Sequence, residues 1–531
     1  MRYGYGQKQH GIGKAVKGTV LAAAAFAAVP FMAVPAFAGA TGQMGVSVNT
    51  LGFDQTAYKT FTVTENGQTI PVRAYENIVY VTKPVDTDYQ SMNIYIPEAY
   101  FAGGAVNGYT AETAPVYFRN TVSAYMPGKA LSLTSEDTGN AGGGMPAMAS
   151  ADGTPLPMMG AAGSSDTDNM KKVLAQGYVL ACPGARGRTN TSADGTVYTG
   201  KAPAGLVDLK AAVRYLRHND AAMPGNADKI ISDGTSAGGA MSALLGATGN
   251  NAAYAPFLTA LGAADERDDI YISLDYCPII NVDHADAAYE WQYAGLTSVN
   301  GMFSGRKAMT DEQLQLSEEL RSSFPAYLNS LNLKAEDGTP LTLSADGTSG
   351  SFKEYIKSLI IQSAQTALNS GTDLSSAKYL TIRNGQVTDV DFAGYNAATE
   401  RQKAPVAFDA LDLSAGENGL FGTAGKNAQH FTEFGLLHNT KEGATMADSY
   451  YIRLMNPMSF LGQSGNTLAP YFRIRYGTAD SNTSQAIEAA FAAKLRACGA
   501  NVDIAFPWGV GHSGDYDFDT LFPWIDAICK G

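Results

Sequence analysis

The sequence predicts a fold of the α/β class, built on a mainly parallel sheet with helices on both faces. Strand-like and helical segments alternate between residues 173 and 280, and the alternation returns from residue 471 to the end. The strand-like segments are short and almost continuously apolar, which is typical of strands buried on both faces of a parallel sheet. Residues 283–455 have a different, mostly helical pattern, so one sheet domain is predicted to carry a large inserted segment.

The first strands are predicted from short apolar runs. After an irregular or short-stranded lead-in over residues 40–75, Ile78–Val81 and Met92–Ile96 indicate a hairpin, and Ala114–Phe118 indicates a third strand. Residues 129–165 are rich in Gly, Met, Ala, Ser and Thr. This composition predicts a mobile surface insertion.

The central α/β units follow from hydrophobic periodicity. A strand at Tyr178–Cys182 precedes a helix over residues 206–216, whose apolar residues recur at spacings of three and four and so share one face. A strand at Lys229–Ser232 and a buried strand at Ile272–Ile279 follow. Strand, helix and strand in this order predict parallel pairing, so residues 39–282 form the first part of the sheet domain.

The last part of the sheet domain spans residues 456–531. Apolar residues alternate from Tyr471 onward as in a strand, and a helix with apolar residues at 487, 491, 495 and 498 ends at Gly499. Val502–Phe506 then alternate as a last strand, and Phe518–Ile528 form a closing helix. Within the inserted segment, amphipathic helices are predicted over residues 314–320, opened by Thr310, and over residues 352–368.

The first 38 residues have the pattern of a secretory signal peptide. Four basic residues precede an apolar run from Gly18 to Phe37, and Ala-Phe-Ala at 36–38 forms a small-residue cleavage site. A transmembrane anchor is the alternative, but Pro30 and Pro35 interrupt the run and favour cleavage after Ala38. We therefore expect export, extracellular or periplasmic, with no membrane contact after cleavage.

Composition excludes several classes of partner. The 531 residues carry a net charge of −13, and residues 1–38 contain four basic and no acidic residues, so the mature chain carries −17. This charge argues against nucleic acid and against anionic membranes, and we expect a monomer. The sequence shows no metal-ligand cluster, phosphate-binding loop or dinucleotide fingerprint, so no cofactor and no metal are predicted.

Ser236 is the candidate nucleophile. It is the central residue of Gly234-Thr235-Ser236-Ala237-Gly238, which fits the pattern G-x-S-x-G. A predicted strand precedes the motif and a predicted helix follows it, and a nucleophile elbow requires that context because a tight strand-to-helix turn exposes the serine hydroxyl. A plain glycine turn is the alternative. A serine at this position attacks carbonyl carbon only with the help of a base.

The base and the acid are sought after the nucleophile, in the chain order Ser, Asp, His. Of the five histidines after residue 38, His512 is the one in a glycine-rich loop directly after the final strand. Asp480 follows a strand and precedes a helix, as the acid requires. Asp515 and Asp517 are alternatives, but they are too close to His512 in sequence to face its ring from a separate strand end.

An oxyanion hole needs two N–H donors beside the nucleophile. The first is the backbone N–H of Ala237, and the second is predicted in the loop after the third strand, Asn120 to Gly128. Within that loop, Gly128 is the residue chosen.

With these residues in place, the chain resembles the bacterial tannases, which are esterases of the α/β-hydrolase fold that cleave galloyl esters. The resemblance is carried by four segments: Tyr89–Pro97, Gly234–Ala240, Ala407–Leu413 and Gly511–Tyr516. It implies that residues 283–455 form a lid over the active site.

The resemblance also implies the residues that bind substrate. In the tannases, a Lys and a Glu of the lid, fourteen residues apart, bind the galloyl hydroxyls. Lys403 and Glu417 have the same spacing in this sequence. A second Asp of the family, two residues beyond the triad Asp, is replaced by Asn482, which weakens the expectation of strict preference for gallate.

The resulting hypothesis is a secreted serine esterase that acts on a small phenolic ester, with galloyl esters first. A feruloyl or broader carboxylesterase is the alternative within the class. A peptidase on the same scaffold and an inactive phenol-binding protein are alternatives from other classes. Cys498 and Cys529 lie on two predicted late helices. We expect them to remain unpaired, and a disulfide between them is the alternative.

Overall fold

The computed structural model describes residues 50–133, 166–301 and 305–531. The predicted signal peptide and most of the predicted insertion at 129–165 lie outside these residues. The strands of the described residues, in chain order, are β1 Lys59–Glu65, β2 Gln68–Val79, β3 Ser91–Pro97, β4 Pro115–Arg119, β5 Val179–Pro183, β6 Asn226–Thr235, β7 Ile272–Tyr276, β8 Ser298–Gly301, β9 Gly305–Ala308, β10 Leu380–Arg383, β11 Gln386–Val390, β12 Tyr471–Arg475 and β13 Asn501–Ala505.

Helices cover both faces of the sheet and build most of the inserted segment. Short 3-10 helices lie at Glu98–Ala102, Ala252–Tyr254 and Pro457–Ser459. The α-helices are α1 Asp166–Ala175, α2 Ala204–His218, α3 Ala237–Ala247, α4 Ala255–Leu261, α5 Val282–Gln292, α6 Asp311–Ser330, α7 Ser351–Asn369, α8 Phe392–Thr399, α9 Gly416–Leu420, α10 Glu433–Leu437, α11 Ser449–Leu454, α12 Gln485–Ala497 and α13 Phe518–Lys530.

One nine-stranded sheet organises the fold, with the strand order β1-β2-β3-β5-β4-β6-β7-β12-β13. The three strands β1, β2 and β3 run antiparallel to their neighbours, and all pairings from β5 to β13 are parallel. The predicted α/β class is therefore confirmed. The lead-in over residues 40–75 holds more strand than expected, because β1 and the first half of β2 alternate exposed polar and buried apolar residues at the sheet edge.

The parallel strands bury both of their faces, as their apolar sequences predict. All residues of β3, β5 and β7 are buried, and helices α2 and α3 pack close to the centre of the sheet with nearly every residue buried. At the far side, α12 packs Phe491 edge-on against Phe472 of β12, with ring centroids 6.0 Å apart. The functional loops therefore leave the sheet from rigid strand ends.

A buried ion pair joins two distant parts of the inserted segment. Arg401 contacts Glu290 of α5 with both terminal nitrogens, one at 2.8 Å and the other at 2.5 Å, and both side chains are completely enclosed. Two-point contact of this kind fixes the orientation of a guanidinium as well as its position. At the start of α6, Thr310 and Gln313 form a capping box, which confirms the predicted helix start at Thr310.

Two further sequence expectations concern membranes and disulfides. In the described residues, none of the helices combines the length and apolar character needed to cross a bilayer. All four cysteines are free, so Cys498 and Cys529 are not paired in this structure.

Candidate active site

Ser236 occupies the sharp turn between β6 and α3. Its backbone lies at φ 61° and ψ −121°, a conformation that side-chain-bearing residues rarely adopt. The two motif glycines make this turn possible, because a Cβ at Gly234 would lie 2.2 Å from the carbonyl oxygen of Gly238, and a Cβ at Gly238 would lie 2.7 Å from the carbonyl oxygen of Val122. The G-x-S-x-G pattern is thus a packing requirement of a strained elbow.

His512 bridges the predicted nucleophile and the predicted acid. Its Nε2 lies 2.9 Å from the Ser236 hydroxyl oxygen, and its Nδ1 lies 2.8 Å from Oδ2 of Asp480. The Asp480 side chain is fully buried, whereas the imidazole is 20% exposed. Three residues that are far apart in sequence therefore meet at the carboxyl edge of the sheet, as predicted.

The negative charge of Asp480 affects the pKa of the His512 imidazole. Burial of the ring by itself lowers the pKa of His512, but the adjacent Asp480 carboxylate and the Cys277 side chain together outweigh burial and raise that pKa well above its ordinary value. Asp480 is held in turn by the backbone N–H of Asn482, which donates to Oδ1 at 2.8 Å. An imidazole fixed in this way can accept a proton from the serine and keep it beside a negative charge.

Asn482 lies next to the triad, but its contact there is made by the main chain. The side chain is half-buried and makes no hydrogen bond within the described part of the protein. It is therefore available to a ligand, and its predicted contact with a ring hydroxyl stays a prediction.

The prediction of Gly128 as an oxyanion donor is wrong. Its N–H donates to the carbonyl of Ala185 at 3.0 Å, and the N–H of Ala185 donates back at 2.8 Å, so the two residues form a closed β-bridge. A glycine is needed at 128 for a different reason, because a Cβ there would lie 2.4 Å from the Thr121 hydroxyl oxygen. Ala237, the other predicted donor, is the first residue of α3 and is buried beside Ser236.

The charges of Lys403 and Glu417 interact, and Lys403 also interacts with Asp480 of the triad. Both are half-buried, and among the ion pairs of the described residues none joins them. Burial lowers the pKa of Lys403 and Glu417 opposes this effect, while burial raises the pKa of Glu417 and Lys403 opposes it. The carboxylate of Asp480 also opposes the effect of burial, because its negative charge raises the pKa of Lys403. The charges of Lys403 and Glu417 therefore interact with each other without forming a direct ion pair, and Lys403 also interacts with the triad.

Solved structures identify the family. The chain is 41% identical to tannin acyl hydrolase from Lactobacillus plantarum, with a TM-score of 0.83 and coverage of 91% of this chain and 99% of that chain. It is 43% identical to the tannase of Fusobacterium nucleatum, with a TM-score of 0.81 and coverage of 91% and 100%. The chain belongs to the tannase family. It is accordingly an ester-hydrolysing enzyme, and its resemblance to the bacterial tannases is confirmed.

Other comparisons agree with this assignment. A tannin acyl hydrolase solved in complex with ethyl gallate is 41% identical, with a TM-score of 0.82 and coverage of 90% of this chain and 99% of that chain. Residues 159–316 match the family model described as BD-FAE. None of the curated proteins matches the chain.

Sequence reasoning missed Tyr289, which links Lys403 to the triad of this tannase-family site. Its hydroxyl accepts hydrogen bonds from the backbone N–H groups of Gln402 at 3.0 Å and Lys403 at 3.1 Å, and donates to the carbonyl of Ser481 at 2.9 Å. Asp480 directly precedes Ser481 in the chain. One buried hydroxyl therefore sets the spacing between Lys403 and the triad acid.

Asp286, one turn before Tyr289 on α5, holds the next stretch of the inserted segment. Its carboxylate accepts backbone N–H bonds from Ala407 at 2.5 Å, Phe408 at 3.0 Å and Asp409 at 2.9 Å. The Phe408 ring in turn lies 4.2 Å from the Lys403 ammonium. Asp286 and Tyr289 are hard to identify from the sequence, because each is a single polar residue on a helix that is otherwise buried.

Lys201 performs the corresponding task for Glu417. Its ammonium is buried and donates to the carbonyls of Arg188 at 2.7 Å, Gly419 at 2.8 Å and Asn427 at 2.7 Å. Gly419 lies two residues after Glu417 on the short helix α9. A five-residue helix has little stability of its own, so this contact ties the end of α9 that follows Glu417 to the core.

We predict that Lys201→Met raises the KM for an ester substrate about tenfold, with a smaller change in kcat. The substitution leaves three carbonyl oxygens without their donor, which costs about 1–3 kcal/mol and lets α9 move. Steady-state kinetics and thermal unfolding measure the two effects. Lys229→Met is the matched control, because Lys229 donates to the carbonyl of Cys529 on α13, away from the inserted segment. An unchanged KM in a destabilised Lys201→Met enzyme would show that the ammonium does not position Glu417.

Proposed function

We propose that this enzyme hydrolyses galloyl esters, including tannins and simple alkyl gallates, through a Ser-His-Asp triad and an acyl-enzyme. The observation that carries the proposal is the arrangement of His512 between Ser236 and Asp480, next to the open pair of Lys403 and Glu417. The first set of residues supplies the chemistry of acyl transfer, and the second recognises a ring with adjacent hydroxyls. The two sets are close enough for the charges of Lys403 and Asp480 to interact.

The reaction follows from the triad geometry. His512 removes the proton of the Ser236 hydroxyl through Nε2, and the oxygen attacks the ester carbonyl. Asp480 accepts the Nδ1–H bond throughout and stabilises the imidazolium. The same proton then passes from His512 to the departing alcohol, which leaves an acyl group on Ser236. A water molecule activated by His512 hydrolyses that ester and releases the free acid.

The oxyanion of each tetrahedral intermediate needs two donors, and the elbow supplies the first from the N–H of Ala237. We place the second in the chain just after Asn120, upstream of Gly128. That stretch contacts the elbow directly, since the Asn120 amide donates to the carbonyl of Gly238 at 3.1 Å. Donors fixed in this way need no reorganisation when the negative charge develops.

Recognition of the acid rests on two desolvated charges. An ammonium and a carboxylate on either side of a ring contact adjacent phenolic hydroxyls, one mainly as donor and the other as acceptor. A substrate without those hydroxyls would leave both half-buried charges without a hydrogen-bond partner, so the site rejects it. Solved tannin acyl hydrolases in complex with ethyl gallate and with 3,4-dihydroxybenzoate support ligands of this shape. Asn482 contributes a neutral amide, which tolerates a wider range of rings than a carboxylate would.

A serine-directed phosphonate tests the triad. The unmodified enzyme is expected to gain one covalent label per chain and to lose its esterase activity, because the phosphonate traps the activated Ser236 oxygen. Ser236→Ala is expected to remain unlabelled and to lose at least about a thousandfold in kcat. Ser242→Ala, on the helix that follows, is the matched control. Intact-protein mass spectrometry gives the readout, and labelling of Ser236→Ala would remove the serine from its proposed role.

Substrate discrimination tests the phenol-binding pair. With methyl gallate, Lys403→Met and Glu417→Gln are each expected to lower kcat/KM about 10- to 100-fold, because one buried charged hydrogen bond contributes about 1.5–3 kcal/mol. With methyl benzoate, which has no ring hydroxyl, the same substitutions are expected to change kcat/KM less than threefold. Product release followed by chromatography separates the substrates. Equal losses on both esters would mean that the pair supports the fold only.

The feruloyl alternative is decided with the unmodified enzyme. Methyl ferulate carries one free phenol and a longer acyl chain, so it satisfies only one member of the pair. Ferulate release at least as fast as gallate release would contradict the preference for galloyl esters.

We further propose that the enzyme is exported, cleaved after Ala38 and active as a monomer. The basic and apolar pattern of residues 1–38 supports export, and the charge of −17 on the remaining chain disfavours self-association. The exported protein is expected to begin at Gly39, which N-terminal sequencing checks. A protein that retains residues 1–38 in the membrane fraction would contradict cleavage.

A further inference from the structure

A thiol with no role in the proposed reaction lies beside the triad. Cys277 is a free cysteine, and one ligand atom each from Cys277, Asp480 and His512 all lie within 4.8 Å of one another. The thiol itself contacts the carbonyl of Ser513 at 3.5 Å, in the loop that carries His512. A sulfur, an imidazole nitrogen and a carboxylate oxygen therefore converge on one point.

The fold fixes the cysteine in this place. Cys277 directly follows β7 and has a positive φ of 36°, and its N–H donates to the carbonyl of Arg475 at the end of β12 at 2.6 Å. The preceding carbonyl, that of Tyr276, accepts the N–H of Ser236 at 2.9 Å. The main chain on both sides of the thiol is thus bonded to the strands that carry the triad, so the sulfur cannot move away from His512 without disturbing them.

We propose that Cys277, Asp480 and His512 form an inhibitory binding site for a soft divalent cation, and Zn²⁺ and Cd²⁺ are the ions expected to bind. Thiolate, imidazole and carboxylate are ligands that Zn²⁺ accepts in tetrahedral sites. Magnesium and calcium prefer sets made of oxygen alone, so they are not expected to bind. A water molecule completes the coordination; if the ion binds through Nε2, the Ser236 hydroxyl, which lies 2.9 Å from that atom, can take this place.

The distances suit such an ion after a small contraction. Zinc binds sulfur at about 2.3 Å and nitrogen or oxygen at about 2.0–2.2 Å, which places its ligand atoms roughly 3.2–3.8 Å apart. The present spacing of at most 4.8 Å closes by about 1 Å. The His512 loop can supply this movement more easily than the strand ends, because its imidazole is 20% exposed whereas Asp480 is fully buried.

Binding at this point stops the proposed reaction, so the inference rests on the triad. Coordination through Nδ1 takes the place of the hydrogen bond to Asp480, and coordination through Nε2 removes the acceptor for the serine proton. In both cases the thiol gives up its proton to solvent and forms a sulfur–metal bond, and no oxidation is involved. The ion enters from the exposed side of His512, beside Ser236, so it competes with the ester.

Inhibition by metal is the first test. Zn²⁺ and Cd²⁺ added to the complete enzyme are expected to inhibit ester hydrolysis competitively and to be reversed by a chelator, whereas Mg²⁺ is expected to have no effect. Cys277→Ser is expected to raise the half-inhibiting Zn²⁺ concentration at least tenfold, relative to its own uninhibited rate. Cys182→Ser removes another buried free thiol, on β5, and is expected to leave the sensitivity unchanged. Equal sensitivity in Cys277→Ser would overturn the proposal.

A binding test that needs no activity separates this proposal from the proposed function. Cd²⁺ bound to a thiolate gives an ultraviolet charge-transfer band, which can be titrated in the Ser236→Ala enzyme. One Cd²⁺ per chain is expected, with loss of the band in Ser236→Ala/Cys277→Ser and at least tenfold weaker binding in Ser236→Ala/His512→Ala. Binding that persists without His512 would overturn the site while leaving the esterase proposal intact. An inactive unmodified enzyme that still binds Cd²⁺ at Cys277 would contradict the esterase proposal alone.

Discussion

The strained backbone of Ser236 is the constraint on which the rest of the site depends. A residue at φ 61° and ψ −121° persists only when its surroundings hold it there. The elbow is held by β6 on one side, by α3 on the other, and by Asn120, whose amide bonds the carbonyls of Asp233 and Gly238 at 2.9 and 3.1 Å. Because this turn is fixed, the hydroxyl stands above the sheet edge, where His512 and the end of β7 can reach it.

The inserted segment faces a different physical problem, since it must hold charges near a buried site without letting them pair. Lys403 and Glu417 are held through separate polar groups: Tyr289 links the backbone of Lys403 to Ser481, and Lys201 binds the carbonyl of Gly419, two residues after Glu417. A direct ion pair would satisfy both charges and would leave nothing for a ring hydroxyl to gain. The polar contacts beneath the pair therefore determine specificity as much as the pair does.

Much of the fold and of the triad could be predicted, because both depend on local patterns. Buried parallel strands have continuous apolar sequences, the elbow needs two glycines around a serine, and His512 follows the last strand in a glycine-rich loop. Whether Gly128 could act as an oxyanion donor could not be predicted from a local pattern. Whether its N–H is free depends on Ala185, which lies on the far side of a long insertion, and no local pattern reports that pairing. Lys403 and Glu417 were found through the resemblance to tannases alone.

The sequence by itself determined the α/β class, the elbow at Ser236 and the order of the three triad residues, since periodicity and turn chemistry act over a few neighbouring residues. Only the tertiary structure decided which backbone amides remain free, that Lys201 supports the helix of Glu417, and that Cys277 lies beside His512. Each of these facts joins residues from separate elements. Their distances are set by how helices and strands pack in three dimensions, and a one-dimensional pattern does not contain that information.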